Sequence, residues 1–234
     1  MRLDEWIVWK QLLPSKSKAI RFIREVGVNV KGKLIIKPGY RIKTTDLIDI
    51  DTSALVRFKK PQGFYKLEFL TSTNFIPFSS EDKCLDVGAS AGGFSLYMLE
   101  RNVQSVLAIE ISSDFEPFLE EIHNIFPNKF SYWIKDFFKL TSSSFPHPFN
   151  LITADLTLDP YFLLEKLELF TSILQPSSIQ ARLLLTIKTG KIINLKDVLV
   201  KIERKAGTLC SGTSLKWLES RPDKQERFLL LLKS

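Results

Sequence analysis

Residues 84–99 read CLDVGASAGGFSLYML: an apolar run that ends on Asp86, a glycine-bearing turn, then a second apolar run at helical spacing. Gly88, Gly92 and Gly93 let backbone approach a ligand closely, and the helix that opens after them offers unpaired N–H groups. Glu110 closes the next apolar run, 24 residues after Asp86, where a carboxylate can accept hydrogen bonds from both hydroxyls of a ribose. Together these features point to a cofactor that carries a nucleoside. The glycine spacing is not the Gly-x-Gly-x-x-Gly of dinucleotide enzymes and no Gly-Lys-Ser/Thr occurs, which argues against NAD and against a P-loop.

Residues suited to metals or disulfides are few. Cys84, Cys210, His123 and His147 fall in no close ligand spacing, so neither a zinc site nor a disulfide framework is expected. Cys84, inside an apolar run, reads as an inert buried thiol, and both histidines as structural or solvated.

Charge adds a second chemical signal. The net charge of +7 comes entirely from the first 60 residues, which hold 14 Lys/Arg against 6 Asp/Glu, while the remainder holds 19 against 20. Such an excess, confined to one segment, suits a small module that meets a polyanion, joined to a larger near-neutral body. Lys16, Lys18, Arg21, Arg24, Lys31, Lys33, Lys37, Arg41 and Lys43 occupy positions that the apolar pattern leaves to solvent, where they can line a phosphate-binding face.

These groups must be held by folded elements, and the 234 residues, 44% of them apolar, can bury a core unaided. No run of about 18 uncharged apolar residues is present, and Asp4 and Glu5 precede any apolar stretch; a soluble, cytoplasmic, monomeric protein without a membrane partner is expected. Ser15 or Ser17 caps an amphipathic helix carrying Ala19, Ile20, Phe22 and Ile23, which Gly27 ends. Val28 and Val30 then alternate toward a Lys31-Gly32 turn, followed by Leu34, Ile35 and Ile36. Leu3, Trp6, Trp9 and Leu13 are expected on the apolar side of a preceding helix. Residues 52–61 read as a basic linker. Beyond it, strands are expected at 84–87, 105–109, 150–154, 183–187 and 227–232, with amphipathic segments near 94–100, 115–125, 161–174 and 195–205. Strand alternating with helix implies a doubly wound α/β sheet.

The opening Arg2-Leu3-Asp4, the SKSKAIRFIREVGVNVKGK stretch, the Lys37-Pro38-Gly39 turn and Asp46-Leu47-Ile48 resemble an S4 RNA-binding domain over residues 1–51. Such a domain implies binding of structured RNA through shape and phosphates. The turn Asp-Val-Gly-Ala-Ser-x-Gly-Gly-Phe resembles motif I of S-adenosylmethionine-dependent methyltransferases, in the form used by FtsJ-like ribose 2′-O-methyltransferases and their TlyA branch, which also carries an S4 domain in front. The resemblance implies a Rossmann-like, doubly wound class I methyltransferase sheet over residues 62–234, with a small N-terminal α+β S4 domain. It further implies S-adenosylmethionine as cofactor and RNA, ribosomal RNA or a ribosomal subunit, as partner. By the same resemblance Asp86, Gly88, Ala89, Gly92 and Gly93 border the methionine portion, Glu110 the ribose, and Asp136 and Phe137 the adenine, with Ser90, Phe94 and Asp155 also among the cofactor-binding residues.

FtsJ-like enzymes use a Lys-Asp-Lys-Glu tetrad, and the resemblance assigns it to Lys66, Asp155, Lys188 and Glu226. A ribose 2′-hydroxyl is a weak nucleophile until deprotonated, and a lysine can be the base if burial and a second cation lower its pKa. Lys188 is expected as the base, assisted by Asp155, with Lys66 and Glu226 positioning the ribose. The loop Pro61-Gln62-Gly63-Phe64-Tyr65-Lys66-Leu67 departs from the family's Ser-Arg-Gly-Gly-x-Lys-Leu. That departure keeps open an RNA-binding protein whose methyltransferase fold does not turn over. A base methyltransferase is a third reading, weakened because Asp155-Leu156-Thr157-Leu158 lacks an Asn-Pro-Pro-Tyr-like motif.

Overall fold

The chain separates into two units, residues 1–62 and 63–234, each with its own core. The computed structural model describes residues 1–74, 76–157, 159–176, 180–190, 195–209, 213–220 and 225–233; Cys210 lies outside them.

In the first unit α1 (Leu3–Trp9) and α2 (Lys16–Glu25) precede β1 (Val28–Val30), β2 (Lys33–Ile35), β3 (Ile48–Asp49) and α3 (Thr52–Lys59). Ser15 is the cap of α2, its side chain accepting from the Lys18 amide, which satisfies one of the free N–H groups of the first turn. Ala19, Phe22 and Ile23 are fully buried on one helical face. β1 pairs with β2 on one side and β3 on the other, both antiparallel. Trp9 departs from expectation and is 64% exposed, while Leu3, Ile7 and Leu13 point inward. Two residues beyond Ile7, it is turned about 200° away from the buried stripe. The linker expected at 52–61 is corrected as well. Asp51 caps α3 by accepting from the Ser53 and Ala54 amides, and Leu55 and Phe58, three apart on one face, are buried in the core. Phe58 meets the Phe22 ring edge-on at 5.2 Å. The high local charge hid an ordinary amphipathic helix.

The second unit runs α4 (Gln62–Thr73), β4 (Lys83–Val87), α5 (Gly93–Glu100), β5 (Ser105–Glu110), α6 (Glu116–Ile125), β6 (Phe130–Ile134), β7 (Leu151–Ala154), α7 (Pro160–Ser172), β8 (Ala181–Lys188), α8 (Leu195–Leu209), β9 (Thr213–Glu219) and β10 (Glu226–Lys233). The sheet order is β6-β5-β4-β7-β8-β10-β9. β4 to β8 are parallel, and β10 is antiparallel to both β8 and β9. Alternate residues serve opposite faces. Leu85, Leu183, Leu185 and Leu229 pack with α7 and α8, whereas Cys84, Leu184, Phe228 and Leu230 pack with α4, α5 and α6. Cys84 is fully buried, which pushes its thiol pKa up. All five expected strands form; β6 and β9 lie outside them, because an edge strand has one pairing partner and carries a weaker apolar signal. The sheet is the doubly wound Rossmann-like architecture that the sequence implies. Its chain direction switches between β4 and β7, and ligands in such sheets bind at that switch, beyond the carboxyl ends of the strands. At the opposite edge Arg182 and Asp82, both fully buried, form an ion pair, and Arg182 also donates to the Pro77 carbonyl.

Candidate active site

The turn after β4 is built for close approach. Gly88 has φ +75°, and a Cβ there would fall 2.6 Å from Leu156 Cδ2 and 3.1 Å from the Asp155 carbonyl oxygen, so only glycine is accommodated without strain. The Gly88 and Ala89 amides donate to the Ile109 carbonyl at 2.8 and 3.1 Å, locking the turn onto β5. Ser90, at φ +50°, donates its amide to Glu110 Oε2 at 2.7 Å. Glu110 Oε1 accepts from the Ile111 and Ser112 amides at 2.9 Å each. Glu110 is therefore a rigid, nearly buried carboxylate at the end of β5.

Around the turn lies a cleft of about 450 Å³. Of the residues expected at the cofactor, Gly88, Ser90, Glu110, Asp136, Phe137 and Asp155 line it; Asp86, Ala89, Gly92, Gly93 and Phe94 are not among its walls. Asp86 is only 1% exposed. Its Oδ2 accepts from the Ser95 amide and hydroxyl at 3.0 and 2.7 Å, and its Oδ1 from the Thr153 hydroxyl at 2.9 Å. Burial raises its pKa to about 6, against the pull of those hydrogen bonds. It braces α5 against β7. Gly92 faces the Ile122 and Leu119 side chains. Sequence reading missed the lining residues Lys135, Ile111, Phe115, Phe138 and Leu156; each lies within five residues of one it selected.

Three carboxylates and one lysine on apolar walls suit a ligand with hydroxyl and amino donors, an apolar ring and positive charge. That donor set fits S-adenosylmethionine: Glu110 would hold the ribose, Asp136 with Phe137 the adenine, and the Gly88–Ser90 turn with Asp155 the charged methionine end. Asp136 is fixed for such a role, its side chain accepting from the Phe138 amide at 3.0 Å.

Beside this cleft Lys66, Asp155, Lys188 and Glu226 meet. Lys66 Nζ lies 2.6 Å from Asp155 Oδ2 and 3.0 Å from Glu226 Oε2. Lys188 Nζ lies 2.9 Å from Asp155 Oδ1 and 2.7 Å from Glu226 Oε2. The result is a closed ring of alternating charge. Asp155 follows β7, Lys188 ends the adjacent parallel β8, and Glu226 begins the antiparallel β10, so all three reach one edge of the sheet. Lys66 comes from the second turn of α4, with the Phe228 and Phe94 rings 5.3 and 5.9 Å from its nitrogen. Burial pulls the Lys66 pKa below the usual lysine value although Asp155 and Glu226 oppose the shift. Burial acts downward on Lys188 too, but there the two acids outweigh it and push the pKa up. Asp155 is disfavoured as a carboxylate by burial, yet the two ammonium groups hold its pKa below the ordinary range.

The nine basic residues expected to meet RNA are exposed or half-buried in the first unit. Four are engaged within it: Lys16 with Glu5 at 3.0 Å, Arg21 with Glu25 at 2.7 Å, Lys31 with Asp46 at 2.6 Å, and Lys18 Nζ on the Lys59 carbonyl at 2.6 Å. His123 is structural, its Nδ1 bonded to the Phe130 carbonyl at 2.8 Å; His147 is half-buried, its ring 5.0 Å from that of Phe149.

A doubly wound seven-stranded sheet with a nucleoside-sized acidic cleft at its switch point defines a class I methyltransferase fold. The chain belongs to the FtsJ-like methyltransferase family, whose model matches residues 60–190. Among curated proteins it is 34% identical over 114 residues to Hemolysin A of Brachyspira hyodysenteriae, a match covering 47% of this chain and 45% of that protein. It is 28% identical over 110 residues to the 16S/23S rRNA (cytidine-2′-O)-methyltransferase TlyA of Mycobacterium tuberculosis, covering 47% and 40%. The matches thus span less than half the length of these relatives. Among solved structures, a putative hemolysin from Streptococcus thermophilus shares the fold with a TM-score of 0.61 at 18% identity, over 100% of this chain and 88% of that one.

Proposed function

We propose that this protein transfers a methyl group from S-adenosylmethionine to a ribose 2′-hydroxyl of structured RNA, with ribosomal RNA as the substrate class. The observation that carries this reading is Asp155, which lines the cofactor cleft and pairs with both Lys66 and Lys188. One carboxylate therefore joins the place for a methyl donor to the place for a base. The relative that modifies a cytidine 2′-oxygen supports the choice of a ribose hydroxyl.

When bound, the cofactor supplies a methyl group already activated by a sulfonium charge; the chain must orient the hydroxyl and remove its proton. Accessibility separates the two lysines. The Lys188 side chain is 32% exposed and Lys66 19%, which favours Lys188 as the amine that a ribose oxygen approaches. Asp155 and Glu226 hold Lys188 protonated in the free protein, so in this reading it takes the 2′-proton only once a bound cationic cofactor and the loss of water lower its pKa; the two acids aim it, and Lys66 positions the hydroxyl. The altered loop before Lys66 leaves its Nζ within bonding distance of both acids, which favours an enzyme over a fold retained for RNA binding alone. Residues 1–51, an S4-like module in this reading, would hold the RNA through phosphates, with α3 as part of the same unit.

The test is incubation with methyl-labelled S-adenosylmethionine and ribosomal RNA or subunits, followed by alkaline hydrolysis. Label retained in an alkali-resistant dinucleotide is expected; label on a base, or none on any RNA despite cofactor binding, would overturn the proposal.

A further inference from the structure

Gly93 belongs by sequence to the glycine turn, yet backbone, not a ligand cleft, occupies the space beside it. A Cβ on Gly93 would fall 2.6 Å from the Phe64 amide nitrogen, 2.7 Å from Gly63 Cα and 2.9 Å from the Gly63 carbonyl carbon. In the reverse direction, a Cβ on Gly63 would meet Phe94 Cδ1 at 3.2 Å, Gly93 Cα at 3.3 Å and the Phe94 amide nitrogen at 3.4 Å. The first turns of α4 and α5 thus touch main chain to main chain. Gly93 is not in the left-handed region, so its conformation would admit alanine, and the close approach alone demands glycine.

The two helices are not equally free to yield. α5 is tied down one turn in, where the Ser95 amide and hydroxyl bond the buried Asp86 carboxylate at 3.0 and 2.7 Å. An added methyl at Gly93 would therefore displace the start of α4. Lys66 stands three residues after Gly63, just under one helical turn further on, and its Nζ bridges Asp155 at 2.6 Å and Glu226 at 3.0 Å. Shifts of a few tenths of an ångström at Gly63 are comparable to the tolerance of those bonds.

We infer that Gly93 is a positioning residue for Lys66: the Gly63–Gly93 backbone contact sets how far α4 carries its ammonium between Asp155 and Glu226. The catalytic meaning of this contact rests on the methyl-transfer reading above, while its geometry does not. The glycine motif then divides its work, Gly88 clearing the cleft and Gly93 seating the lysine of the helix before it.

The experiment uses the full chain with Gly93→Ala and, as the milder change, Gly63→Ala, each checked for an unchanged circular dichroism spectrum. Four quantities are read: calorimetric affinity for S-adenosylhomocysteine, the kcat and the KM of methyl transfer to RNA, and the rate of competitive acylation of Lys66 Nζ as a function of pH, followed by mass spectrometry. For Gly93→Ala the expected result is cofactor affinity within about threefold of wild type and kcat lower by about 10²-fold, with KM little changed. The acylation profile of Lys66 should move toward that of an exposed lysine, with Gly63→Ala intermediate. Parallel loss of cofactor affinity and turnover with unaltered Lys66 acylation would overturn the inference and return Gly93 to the cofactor. Absence of methyl transfer by the wild type would defeat the functional reading, and the acylation profiles would still decide the positioning role. Should Gly93→Ala fail to fold, Gly63→Ala carries the same comparison alone, and an unchanged Lys66 profile in that variant would overturn it.

Discussion

Lys188 and Glu226 are register partners across the antiparallel ladder of β8 and β10, and their side chains close to 2.7 Å. The pairing places the last residue of one strand opposite the first of the other, so the charge pair is a consequence of strand register. A slip of one residue would turn Glu226 to the other face of the sheet.

Glu226→Gln should therefore change the acid–base behaviour of Lys188. Asp155 and Glu226 together hold the Lys188 pKa above its ordinary value, and removing one carboxylate weakens the charged form. With Lys188 as base, the rate rises with pH as this ammonium deprotonates, and the rising limb is expected at lower pH in Glu226→Gln than in wild type. A pH–rate profile of methyl transfer under single-turnover conditions measures this, and a limb in the same place would remove Lys188 from the role of base.

Lys188→Met should lower methyl transfer by about 10²- to 10⁴-fold, the usual worth of a positioned general base. Cofactor affinity should stay within a few-fold, because Lys188 is not among the cleft-lining residues. Labelled-methyl transfer and calorimetry on the same preparation read both numbers; equal losses in the two would assign Lys188 to cofactor binding.

Asp86 gives stability an unusual pH dependence. Its pKa is about 6 in the folded protein against an ordinary 3.8. A raised acid pKa means that the protonated form favours folding: its contribution is complete below about 4 and lost as pH rises through about 6. The loss is of order 3 kcal/mol at 1.36 kcal/mol per pKa unit. Asp86→Asn removes this titration, so the stability of the variant relative to wild type should increase between pH 4 and pH 7. Urea melts at several pH values test it, and a constant difference would show that Asp86 is not perturbed.

Asp82 and Arg182 should show strong coupling. Both are fully buried, and removing one partner strands a buried charge at a cost of about 3–5 kcal/mol. Asp82→Asn and Arg182→Met are each expected to destabilise by that order, and the double variant by clearly less than the sum. Additive losses in denaturant melts would mean that the pair is hydrated in solution.

Replacing Arg24, Lys33 and Lys37 by glutamine should weaken RNA binding and make the plot of log affinity against log salt shallower by about 3 units of slope, roughly one per lost phosphate contact. Cofactor affinity should not move. Filter binding over a range of salt concentrations decides, and an unchanged slope would place the RNA elsewhere.

Much of this protein was legible in the linear order of residues. The five buried strands, the amphipathic helices between them, the glycine turn and the Glu110 carboxylate are local patterns, because burial repeats every two residues in a strand and every three to four in a helix. The four members of the charged ring were legible only through resemblance, since no local pattern links Lys66 to residues 89, 122 and 160 positions away. Tertiary structure decided the rest. It bonded Asp86 to Ser95 and Thr153, brought the Gly93 backbone against Gly63 and Phe64, and folded residues 52–59 onto the first core. Each of these depends on which distant backbone or side chain fills the adjoining space. Sequence spacing records how a residue faces its own element, whereas its partner across the fold is set by register and packing summed over the whole chain.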